Sequence, residues 1–246
     1  MSTVAAPPIF KTKLIGREEI AKQTMAFRFE KVPGWTYTAG QAIDITLINP
    51  LETDGEGNTR GLSLASAPFE DTIMVATRLR DTAFKRVLKS APLGTEVKIE
   101  GPFGNLTLHN NAARAAVFVC GGIGITPVRS ILFSAAQKKL PHRLFLFFSN
   151  HSRQDAPFFD ELDRLQARNE HFRFIPTMTD LAVSRGSWSG ETGFINSEML
   201  ARHLQNVQQA IYYLTGPSSM VRGMRTVLHE SGVDDDDIRV EEFTGY

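Results

Sequence analysis

From Cys120 to Pro127 the chain reads Cys-Gly-Gly-Ile-Gly-Ile-Thr-Pro, and these residue types at this spacing suit an anion. Glycines let a backbone approach a ligand closely, Thr126 is a good helix N-cap, and Pro127 fits the first helical position. The open amides and positive dipole end of such a helix start favour a pyrophosphate. The spacing departs from the dinucleotide fingerprint Gly-x-Gly-x-x-Gly, and close packing of a strand on a helix also asks for glycine. On these residues alone both readings stand.

The elements around this stretch must position it. Ala115–Cys120 is a continuous apolar run, as expected of a buried strand. Beyond the glycines, Val128, Ile131, Leu132, Ala135 and Ala136 fall at i, i+3, i+4, i+7 and i+8, which predicts a helix with one apolar face. Leu144–Phe148, Phe172–Met178, Ala210–Leu214 and Ile238–Phe243 read as further strands. Helices are expected around Phe158, Phe159, Leu162 and Leu165 and near 197–207 and 218–231. Such alternation implies a parallel sheet covered on both faces, with ligands at the carboxyl ends of its strands.

Before residue 110 the pattern differs. Met25, Phe27 and Phe29 alternate with polar or small neighbours, as do Ile43, Ile45 and Leu47. Val-Pro-Gly at 32–34 and the polar run 53–59 supply turns, and 60–67, 72–79 and 96–101 continue the short alternating style. One exception is 82–90, where Ala83, Phe84, Val87 and Leu88 share a helical face. The expected architecture is therefore two domains. An antiparallel β-barrel spans 1–110, and an α/β doubly wound parallel sheet spans 111–246.

Composition narrows the function. The 246 residues carry 27 Lys plus Arg against 27 Asp plus Glu, which lacks the positive excess of a general nucleic-acid binder. A single cysteine, Cys120, excludes an intrachain disulfide framework and a four-thiolate metal or iron–sulfur site within this chain. The six histidines lack metal-ligand spacing, so no metal site is expected. With no run of 18 apolar residues and no signal-peptide core, the expectation is a cytoplasmic protein without membrane insertion.

Four segments occur in a telling order: Arg-Gly-Leu-Ser at 60–63, Gly-Gly-Ile-Gly-Ile-Thr-Pro at 121–127, Thr-Gly-Pro-Ser-Ser-Met at 215–220, and Glu-Glu-Phe-Thr-Gly-Tyr at 241–246. Together they resemble the ferredoxin–NADP reductase superfamily, which pairs a flavin-binding barrel with a nicotinamide-binding domain. The match runs from about residue 10 to the terminus. The resemblance implies that Arg60 pairs with the flavin phosphate, that Gly61 and Leu62 lie along the flavin, and that Ser63 hydrogen-bonds near flavin N5. Leu62 stands where an aromatic residue is usual. Thr77, Arg78 and Leu79 would line the flavin's other side, while Thr82 and Ala83 would meet its pyrophosphate, favouring FAD over FMN. Gly122, Gly124 and Thr126 would meet the nicotinamide dinucleotide, with Thr126 beside the chemistry. Thr215 replaces a common cysteine by the nicotinamide, and Gly216 and Pro217 keep that turn. Glu241 would assist proton movement, and Phe243 or Tyr246 would cover the ring.

Asp180, in Met-Thr-Asp, would repel a 2′-phosphate and accept from a ribose hydroxyl, which favours NADH over NADPH. The activity implied is hydride transfer from NADH or NADPH to bound FAD. Electrons would then pass to a separate acceptor such as a ferredoxin, a flavodoxin or an oxygenase component. Arg78, Arg80, Lys85, Arg86 and Lys89 could receive an acidic partner or form an ordinary solvated face. The alternatives are a reductase of free flavin, ferric chelate or quinone, and a non-catalytic flavin-binding regulatory module.

Overall fold

The computed structural model describes residues 6–180 and 188–243. Strands β1 (Ile9–Ala21), β2 (Thr24–Glu30), β3 (Ala42–Leu47), β4 (Thr59–Ser63), β5 (Thr72–Arg78) and β6 (Glu96–Phe103) form an antiparallel sheet in the order β4-β3-β6-β1-β2-β5. A bridge from Leu64 to Val75 joins the two edges, curling the sheet into a barrel. Alternation explains the strands. Ile43, Ile45 and Leu47 on β3 and Phe27 and Phe29 on β2 all point into one core and are buried. Helix α1 (Ala83–Ser90) plugs this core with Phe84 and Leu88, and the Thr82 hydroxyl caps it by accepting from the Lys85 amide.

Strand β1 is not predicted by the sequence reading. Its charged residues Lys11, Lys13, Arg17, Glu18 and Glu19 mask the pattern. It pairs with β6 over its first residues and with β2 over the rest, bending at two bulges.

The second sheet is parallel throughout, in the order β10-β9-β8-β7-β11-β12. It comprises β7 (Ala116–Gly121), β8 (Leu144–Asn150), β9 (Phe172–Met178), the two-residue β10 (Glu191–Thr192), β11 (Ile211–Pro217) and β12 (Ile238–Phe243). Helices α2 (Ile125–Gln137) and α3 (Phe159–Arg168) cover one face, and α4 (Ser197–His203) and α5 (Ser218–Glu230) cover the other. Strand order reverses between β7 and β11, which opens a crevice at their carboxyl ends. Strands β8 and β11 run further than their apolar residues suggest. Ladder partners hold the polar ends, pairing Gly121 with Ser149 and Thr215 with Cys120.

The helix start after β7 corrects one expectation. A 3-10 turn over Gly122–Gly124 precedes α2, so Gly124 takes the N-cap position and Ile125 the first helical one. Thr126 lies inside the helix, 1% exposed, and its hydroxyl donates back to the Ile123 carbonyl at 3.1 Å. Thr126 is therefore not the cap, nor is Pro127 the first residue. The tighter turn lets Gly124 press against β11, where an added Cβ would sit 2.5 Å from the Thr215 carbonyl oxygen.

Barrel and sheet share a core. Ala65, Met74, Ala76 and Leu106 pack with Val128, Ile131 and Leu132 of α2. Within this apolar contact Arg129 is 4% exposed. It donates to the Ala65 carbonyl, to both Glu70 carboxylate oxygens and to Glu161 on α3. No helix among the described residues is long and apolar enough to cross a membrane.

Candidate active site

Three groups of residues converge where the barrel meets the crevice. The first joins the ends of β4 and β12. Ser63, 4% exposed, donates from its hydroxyl to Glu241 at 2.5 Å across 178 residues of sequence. The parallel ladder sets Glu241 beside Thr215 and Thr215 beside Cys120. Thr215 is fully buried and its hydroxyl donates to the Cys120 sulfur at 3.1 Å, so its side chain is turned inward. Burial pushes the Cys120 thiol up to about 12, which keeps it protonated and inert.

Burial also raises the Glu241 carboxyl above the ordinary glutamate range, and the Ser63 hydrogen bond opposes part of that rise. The folded chain thus holds this proton more tightly than the unfolded chain does. Its contribution to stability is full below the ordinary glutamate pKa and is lost as pH rises through the raised value. Glu241→Gln should therefore flatten the fall in melting temperature over that window. An unchanged pH–stability curve in this variant would contradict the burial argument.

The second group lies at the phosphate end of the barrel. The Arg60 guanidinium sits 5.2 Å from the centre of the Phe84 ring, and the α1 N-terminus opens beside it. One Asp54 oxygen accepts from the Ala83 amide at 2.7 Å, while the other lies 3.8 Å from Arg60. Arg60 and Ala83 therefore converge on a single anionic group. A fork of N–H donors plus a helix-start amide is a donor set that fits a phosphate.

The third group lines a cavity of about 590 Å³ at the carboxyl ends of β7, β8, β9 and β11. Its walls include Arg78, Gly122, Asn150, Thr179, Phe194 and Pro217. Asp180 follows Thr179, and its amide donates to the His151 carbonyl at the rim. Both polar atoms of the Asn150 side chain are buried without a partner. An orphaned amide at the wall of a cavity of this size is a group whose hydrogen-bonding capacity a polar ligand would satisfy. The cavity, its glycine-lined floor and this amide fit a nicotinamide dinucleotide.

Other expected residues take intermediate places. Leu62 is half-buried against the barrel core, Gly61 is exposed on β4, and Thr77 is 6% exposed at the end of β5. Leu79 follows Arg78, its amide donating to the Gln23 carbonyl, and Phe243 pairs with Pro217 on the ladder. Tyr246 lies outside the described residues. Sequence reasoning missed Asn150 and Phe194. Asn150 was findable as the end of a strand neighbouring β7, but Phe194 lies in a segment without periodicity. The 53–59 run is likewise more than a plain turn, since Asp54 and Glu56 engage Arg60 from there.

The fold is shared with solved structures. The flavohem-like FAD/NAD-binding domain of a nitric oxide dioxygenase from Vibrio cholerae aligns at 19% identity over 95% of this chain and 98% of that one, with a TM-score of 0.82. A ferredoxin NADP+ reductase from Neisseria gonorrhoeae aligns at 21% identity over 95% and 98% of the two chains, with a TM-score of 0.77. This chain shares the two-domain fold of those structures. Its residues 118–226 match the oxidoreductase NAD-binding domain family. The F component of the Na(+)-translocating NADH-quinone reductase is 31% identical over 156 residues in both Yersinia enterocolitica and Methylococcus capsulatus. That match spans 62% of this chain but only 38% of those relatives.

Proposed function

We propose that the chain is an NAD(P)H oxidoreductase that uses bound FAD and hands electrons to a separate acceptor. The division of labour is a flavin-binding half, 1–110, and a nicotinamide-binding half, 111–246. The observation that carries this reading is the Ser63–Glu241 contact, which joins the barrel's fourth strand to the last strand of the NAD-binding sheet. When bound, the flavin would accept hydride from the nicotinamide and release electrons onward. The residues of the chain bind, orient and shield. Arg60 and the Ala83 amide would hold phosphate; Gly122 on the cavity wall would allow close approach of the dinucleotide, whereas the expected role of Gly124 there gives way to packing of the helix start against β11. Ser63 presents a hydroxyl at the domain junction, and Glu241 a carboxyl whose pKa burial raises. Phe243 would cover the flavin edge. The single cysteine leaves no iron–sulfur ligand set in these 246 residues, so the acceptor lies outside them. A small redox protein, a quinone and a free flavin are the candidates.

Asp180 favours NADH as the donor, because a carboxylate at this rim opposes a 2′-phosphate. Asp180→Ala should raise kcat/KM for NADPH relative to NADH about tenfold. An unchanged ratio would remove Asp180 from the specificity argument. The reading as a whole is tested by purifying the chain and titrating it with FAD and FMN. Uptake of FAD into a yellow complex is expected, and a folded chain that takes up neither flavin would overturn it.

A further inference from the structure

The loop between β3 and β4 carries three carboxylates, and each engages a positive group of the phosphate cradle or the helix beside it. Asp54 accepts from the Ala83 amide at 2.7 Å and faces Arg60 at 3.8 Å. Glu56 pairs with Arg60 at 2.7 Å, and the same guanidinium also donates to the carbonyls of Glu56, Gly57 and Thr59. Glu52 grips the Arg86 fork at 2.9 and 2.7 Å. The Ala83 hydrogen bond holds the Asp54 carboxyl below its ordinary range, so it is charged at neutral pH. The loop itself has little apolar anchorage, since Leu51 at its start is fully exposed. What fixes it is the set of contacts with groups that a phosphate would also use.

We infer that Asp54, supported by Glu56, is a specificity-determining residue that competes intramolecularly with the flavin's phosphates for Arg60 and the α1 N-terminus. This rests on the proposed flavin reading of that cradle. A carboxylate and a phosphate oxygen cannot both accept from the Ala83 amide, so the loop must release Asp54 before a phosphate docks. Affinity for phosphate-bearing flavins is thereby lowered, whereas riboflavin, which lacks phosphate, is indifferent to the loop. The bound flavin is consequently an exchangeable one.

The test compares the intact chain with Asp54→Asn/Glu56→Gln, which keeps side-chain size and shape but removes two charges and turns one acceptor oxygen of each side chain into a donor. Fluorescence titration with FAD and with riboflavin gives the Kd of each. The variant should bind FAD at least tenfold more tightly and release it more slowly, with riboflavin affinity changed less than twofold. Equal or weaker FAD binding in the variant would overturn competition and make the loop a clamp that positions Arg60. A parallel gain for riboflavin would also overturn it, because the effect would then not act through phosphate. Failure of the unaltered and altered chains alike to bind any flavin would instead bring down the flavin reading beneath it.

Discussion

Ser63→Ala is expected to slow NADH-driven reduction of the bound flavin by about 10²-fold, comparable to removal of one preorganised donor from an enzyme site. The loss should fall on the reduction step and not on binding, since the Arg60 and Ala83 groups that would hold phosphate stand at a different part of the barrel. Alanine removes the hydroxyl that donates to Glu241. That hydrogen bond lowers the Glu241 pKa against the larger effect of burial, so its removal lets the carboxyl rise further. The pH profile of flavin reduction should shift upward with it. Single-turnover mixing across pH measures both effects, with a flavin titration as the control for binding. A rate within about threefold of the parent, on an unshifted profile, would show that Ser63 only fills space. Ser63→Thr keeps the hydroxyl and should recover part of the rate.

Arg129→Met should cost about 3 kcal/mol of stability and about 6–12 °C in Tm. Methionine approximates the length of the stem but removes every donor. Glu70 and Glu161 are then left as neighbouring carboxylates without their shared cation, and the Ala65 carbonyl loses its 2.8 Å hydrogen bond. The guanidinium also lies 4.3 Å from the Phe133 ring centre and 5.1 Å from that of Phe158, contacts the variant replaces with weaker ones. Because Ala65 and Glu70 belong to the barrel while Arg129 sits on α2, the damage falls on the seam between the two halves. Thermal unfolding should become broader or split. Arg129→Lys keeps the charge but loses the fork, so an intermediate Tm is expected. A Tm within about 1 °C of the parent for Arg129→Met would contradict the view that this ion network holds the seam.

Much of the architecture was legible because period and burial coincide. Ile43, Ile45 and Leu47 alternate in the sequence and alternate in the barrel wall. Val128, Ile131, Leu132 and Ala135 mark the buried face of α2, and Ala83, Phe84 and Leu88 that of α1. What escaped was set by long-range contact. Strand β1 carries five charges along a ribbon buried on one side, and only its partners β2 and β6 define it. A charge at position 129 suggests solvent when the helix is read alone. The barrel covers that side of α2, however, and turns Arg129 into a buried hub. Thr126 had the chemistry of a cap, but the 3-10 turn over Gly122–Gly124 moved the helix start ahead of it. The pairing of Ser63 with Glu241 links β4 to the last strand of the fold, and no local pattern could state its distance. The Asp54 contacts were hidden similarly, inside a run whose composition signalled only a turn.

The most direct measurement is anaerobic stopped-flow mixing of the FAD-loaded chain with NADH, followed through the visible absorbance of the flavin. The account predicts bleaching of the oxidised flavin in a single turnover, faster with NADH than with NADPH and slowed by deuterium at the transferred position of the nicotinamide. A flavin that stays oxidised at saturating NADH and NADPH would contradict it.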